Sequence, residues 1–82
     1  MSQENLSTEF AALKESLPPI IPAKELPRLL GGLFTKKTLA NMRWMGTGPR
    51  AFKIGGKVFH TSEAIVEWFS ESARPFNPDA GM

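Results

Sequence analysis

The sequence predicts a mainly α-helical domain with one small β-hairpin, in the order helix, turn, helix, two-stranded wing, helix, behind an additional N-terminal helix. Three observations carry this. Apolar residues recur at helical spacing in several separate stretches, Thr35 and Thr61 stand where helix N-caps are needed, and Gly55-Gly56 divides two short runs rich in Phe, Ile and Val.

The N-terminal element comes first. Residues 1–6 read as a loose start. From Ser7 to Leu17, Phe10, Leu13 and Leu17 recur at helical spacing, with Ser7 as cap and Glu9 in the first turn. Pro18-Pro19 ends that helix and Ile20-Ile21-Pro22 leads into the next. A second helix is expected over Ala23 to Leu30, burying Leu26, Leu29 and Leu30. Pro27 lacks a donor and clashes with the carbonyl four residues back, so the regular part is short or its first turn irregular. Gly31-Gly32 supplies the turn. The third helix is capped by Thr35 and runs to about Met45, stopping at Gly46. Leu39 and Met42 are its inward positions, with Thr38 beside them. At about 100° per residue the opposite face centres on Lys37 and Trp44, flanked by Lys36, Ala40 and Asn41. Cations, an amide and an aromatic ring on one face suit a groove better than bulk water.

After the turn cluster Gly46-Thr47-Gly48-Pro49, Arg50 to Ile54 and Lys57 to His60 form the hairpin. Two registers are open. A two-residue Gly-Gly turn pairs Ile54 with Lys57 and puts Phe52, Ile54 and Phe59 on one face. A three-residue loop with a bulge pairs Ile54 with Val58 and groups Phe52, Ile54, Val58 and His60. The second is preferred, because it leaves Lys53 and Lys57 at the exposed side and tip. Thr61 then caps a last helix over Ser62 to Ser72, with Glu63 near its positive end and Ile65, Trp68 and Phe69 as the apolar stripe. Arg74-Pro75 ends it. The expected organisation is an N-terminal extension over 1–20, one domain over 21–73 and a disordered tail over 74–82.

Composition narrows the function classes. The 82 residues are 41% hydrophobic and 22% charged, which suits a single small folded domain. No apolar run is long enough to span a bilayer, and the first residues do not read as a signal peptide. The absence of cysteine excludes disulfides and thiolate metal sites, and one histidine makes no zinc site alone. The expectation is therefore a cytoplasmic protein with no cofactor, no metal and no membrane. The net charge of +2 says little, but its distribution says more. Between Leu26 and Ser62 stand Arg28, Lys36, Lys37, Arg43, Arg50, Lys53 and Lys57, with no Asp or Glu. All eight acids lie outside that window. Such a block repels itself unless a polyanion faces it, so phosphate is the natural partner.

The stretch from Ile21 to Trp68 resembles the small MerR-like winged helix-turn-helix domains of phage excisionases and AlpA-type prophage regulators. The residues that carry the resemblance are Thr38-Leu39, Gly46-Thr47-Gly48-Pro49, Lys53-Ile54-Gly55-Gly56-Lys57-Val58 and Trp68. The resemblance implies that the third helix enters the major groove of DNA while the wing touches the backbone or the adjacent minor groove. By it, Lys36, Lys37, Ala40 and Asn41 fall at base-facing or phosphate-facing positions, and Arg50, Lys53 and Lys57 fall on the wing. Three positions depart from the pattern: His60 replaces a usual tyrosine, Phe59 a common basic residue, and Trp44 a usually polar residue.

Taken singly, Lys36 and Lys37 lie where helix amides already favour phosphate. Asn41 has the donor and acceptor needed to read adenine, and Arg43 at the helix edge suits phosphate. Trp44 either packs on the wing as an outlying core residue or contacts DNA; core is preferred, because an isolated exposed indole is costly. His60 is expected to be a packed ring. No nucleophile, base and acid fall into a catalytic pattern, so neither an enzyme nor a small-molecule substrate is expected. The expected partner is double-stranded DNA in the nucleoid, together with a second copy in a dimer or cooperative array and, for an excisionase, a recombinase. The rival is a protein-interaction module that docks through Phe10, Leu13, Leu17 and Trp44 while its basic face meets an acidic protein.

Overall fold

Ile20–Pro22, which the sequence suggests is only a lead-in, is a strand (β1) whose partner is the far arm of the hairpin. The computed structural model describes residues 3–76, with side chains from Phe10 onward. Along the chain, α1 (Gln3–Ser16) and β1 are followed by a 3-10 turn at Ala23–Glu25 and α2 (Leu26–Leu29). Then come α3 (Lys36–Met45), β2 (Phe52–Ile54), β3 (Lys57–Thr61) and α4 (Ser62–Ser72). The described residues thus form four α-helices and a three-stranded antiparallel sheet ordered β1-β3-β2. None of these helices is long and apolar enough to cross a membrane.

The hairpin is therefore part of a larger sheet. Ile21 lies opposite His60, and both are buried from solvent. The Ser62 amide donates to the Pro19 carbonyl at 3.2 Å, which carries the pairing one step past β3. An isolated two-stranded hairpin is marginal in water, and the third strand gives this one a foundation.

Two further expectations need correction. The helix α1 begins at Gln3 rather than Ser7, because no proline or glycine interrupts the polar residues before it, so Ser7 is an interior position. The side-chain roles foreseen for Ser7 and Glu9 lie outside the described residues, as does the tail beyond Phe76. The hairpin takes the two-residue register, with Ile54 opposite Lys57 and Phe52 opposite Phe59. Gly55 and Gly56 have φ of 55° and 80°, the left-handed pair that matches the twist of a tight hairpin and removes the need for a bulge. Phe52 and Phe59 stack across the strands at 5.6 Å, on the face opposite His60.

Elsewhere local chemistry and structure agree. Pro27 occupies the first turn of α2, where a missing amide costs nothing, and the preceding turn is 3-10. Thr35 and Thr61 accept from the amides of Thr38 and Ala64 at 3.1 Å, capping α3 and α4. The helix α3 ends on Gly46 at φ 75°. The buried core is Leu17, Ile21, Leu26, Leu39, Ile65 and Trp68, drawn from the end of α1, β1, α2, α3 and α4. The amphipathic side of α1 lies along α4, with Phe10 edge-on to Phe69 at 5.4 Å.

Candidate functional site

The helix α3 is held by its inner side and presents the rest. Leu39 is buried and Met42 partly so, while Lys36, Lys37, Asn41 and Trp44 are exposed. Trp44 is 90% exposed, which overturns the preference for a core role. It lies about 20° from Lys37 around the helix axis, on the side that faces away from Leu39. The next residue, Met45, is also exposed.

The C-terminal end of α3 is pinned. The Thr47 amide donates to the Met42 carbonyl at 2.9 Å, and the buried Trp68 indole donates to the Thr47 carbonyl at 3.2 Å. The turn passes so near the helix that a Cβ on Gly48 would come within 3.1 Å of the Met42 Cβ. The helix is thus held at its start by the Thr35 cap and at its end by this turn, with its polar side chains outward.

The wing root is tied to the body at one residue. The Nδ1–H of His60 donates to the Arg50 carbonyl at 2.8 Å. Burial holds the His60 pKa below its ordinary value; the carbonyl bond opposes that shift, and the charge of Arg43 adds to it. The Arg50 side chain is already engaged, with Nε 3.0 Å from Glu67 Oε1 on α4 and its guanidinium 5.8 Å above the Phe52 ring. Arg28 is likewise paired, at 2.9 Å, with Glu25. Among the described residues, Lys36, Lys37, Arg43, Lys53 and Lys57 have no carboxylate partner.

Lys36, Arg43 and Lys57 line shallow grooves. One is lined by Ala40, Asn41, Arg43 and Trp44. A second runs between the 3-10 turn and α3, lined by Ala23, Lys24, Lys36, Leu39, Ala40 and Arg43. A third runs between that turn and β3, lined by Pro22, Ala23, Lys24, Lys57 and Val58. So the structure brings Lys36, Ala40, Asn41, Arg43 and Trp44 together on α3, and brings Lys57 near them through the 3-10 turn. Lys37 projects from the same helix. Lys53 lies on β2, at the sheet edge, and Arg50 is turned toward α4. Lys24 is the cation that sequence reasoning missed, because it stands before the acid-free window and next to Glu25.

Comparison with protein-family models, with curated proteins and with solved structures returned no match.

Proposed function

We propose that this protein is a winged helix-turn-helix protein that binds double-stranded DNA in a sequence-dependent way and catalyses no reaction of its own. The observation that carries the reading is the outward face of α3. It is rigidly held and free of carboxylates, and it offers Lys37, Ala40, Asn41 and Trp44 with Lys36 and Arg43 on its flank. In this reading α3 lies in the major groove, where Asn41 reads adenine, Ala40 meets a thymine methyl and the cations hold phosphates. Lys53 and Lys57 approach the backbone or minor groove from the hairpin, while Arg50 braces the wing against α4.

The resemblance to excisionases and AlpA-type regulators supports two roles for one DNA-binding mode, regulation of transcription and architectural assistance to a recombinase. DNA bending, measured with phased sites, separates them. The rival reading as a protein-docking module is weakened at Phe10, Leu13 and Leu17, which pack within the chain, and keeps the exposed Trp44.

The test is a titration of duplex DNA at several salt concentrations. With roughly five to seven phosphate contacts, log affinity falls with log salt at a slope of about −4 to −6. The Lys36→Ala, Lys37→Ala double variant flattens that slope by about 2. No duplex binding at low salt, or a slope near zero, removes this reading.

A further inference from the structure

We infer that the 3-10 turn carries a phosphodiester-binding position, Lys24, that bridges α3 and the wing. The inference rests on the duplex-binding reading above and adds a contact from outside the α3 and wing pair. Lys24 is exposed and lies on the wall shared by two grooves, one shared with Lys36 and Arg43 and the other with Lys57. A strand of duplex that lines α3 and passes on to the hairpin has to cross this junction. There it meets an ammonium group flanked on both sides by other cations.

The nearest carboxylate in sequence does not cancel that charge. Oε1 of Glu25 is held by Arg28 through both Nε, at 3.0 Å, and a terminal nitrogen, at 2.9 Å. Glu67 is engaged by Arg50 through Nε alone, at 3.0 Å. The two arginines absorb the carboxylates that border the basic surface, and Lys24 is left for the polyanion. As a point charge on a flexible stem it fixes position along the backbone and carries no base information.

The experiment compares the wild type with Lys24→Ala, Lys24→Arg and Arg28→Ala, using a random duplex and a duplex selected for tight binding. Affinities are read by fluorescence anisotropy between about 50 and 200 mM salt, where one lost contact changes the slope by about 0.9. Lys24→Ala is expected to weaken both duplexes by the same factor, and the gap to wild type should narrow about threefold across that salt range. Lys24→Arg should keep the wild-type slope, whereas Arg28→Ala, which releases Glu25 beside Lys24, should shift it toward that of Lys24→Ala. A Lys24→Ala line parallel to wild type overturns the assignment while leaving duplex binding intact. A loss confined to the selected duplex also overturns it, since that is the mark of a base contact. If the wild type binds no duplex at any salt, the functional reading fails and this position fails with it.

Discussion

His60 shows how one residue joins local chemistry to the geometry of a surface. Its ring is almost wholly buried against β1, and its Nδ1–H holds the Arg50 carbonyl, so the start of the wing is fixed from inside. A hydrophobic ring would fill the space and leave that carbonyl without its donor; a charged ring would be buried beside Arg43. The consequence for stability has a definite sign. In the unfolded chain His60 titrates near its ordinary 6.5, and in the fold it titrates lower. Between those values the folded chain binds fewer protons. Its contribution is therefore retained above about 6.5 and is lost as pH falls from there toward the lowered folded value. Melting temperatures measured between about pH 7.5 and 5.5 should fall with acidification, and the fall should be shallower in His60→Gln. An unchanged pH profile in that variant would show that another group governs the transition. Trp44 makes the opposite case at the same scale. Its large apolar ring was expected to find cover, and the fold leaves it at 90% exposure among polar neighbours, where only a partner can remove it from water.

At the scale of elements, the tightest constraint lies in the hairpin. Gly55 and Gly56 both occupy the left-handed region, and a Cβ at either would meet open space. The cost of substitution is then in the backbone alone, about 1–2 kcal/mol per residue. Gly55→Ala and Gly56→Ala should each lower stability by about that amount in denaturant titrations, while Lys57→Ala, one residue on, should change it by less than about 0.5 kcal/mol. Equal effects at all three positions would mean that the turn is not under conformational demand. What the sequence revealed at this scale follows from range. Thr35, Gly46 and Thr61 act on amides and carbonyls within one turn, so the limits of α3 and α4 could be read directly. The strand β1 could not, because three residues gain a strand only from a partner lying beyond α3 and β2. The register of the wing was missed for a related reason. The exposure of Lys53 and Lys57 does not bear on the register, which is set by the turn chemistry of two adjacent glycines.

Across the whole molecule, charge and packing divide between separate parts of the chain. Among the described residues, Lys24, Lys36, Lys37, Arg43, Lys53 and Lys57, on the 3-10 turn, α3 and the hairpin, have no carboxylate partner, whereas Glu63, Glu67 and Glu71 recur every fourth residue along α4. The charge window was visible in the sequence, but Lys24 was not, because a window is one-dimensional and the two grooves fold it back. The helix α1 stands outside this division and packs on α4 through Phe10 and Leu13. Removing residues 1–16 should therefore cost roughly 2–4 kcal/mol of unfolding free energy from lost apolar burial. At temperatures where the shortened chain stays folded, its DNA salt slope should match the full chain. Unaltered stability would count against α1 as part of the core, and an altered slope would make it part of the binding surface.

The pairing of β1 with β3 also has a consequence for the order of events during synthesis. Lys24, α3 and the first arm of the wing leave the ribosome before Lys57–Thr61, the strand that pairs with β1 and β2 and sets their relation. Until that strand emerges, a nascent chain carries most of its exposed positive charge with Ile21 and Leu39 still lacking α4 to pack against. On the duplex-binding reading proposed above, such a chain attracts polyanions without selecting among them until β3 and α4 complete the surface.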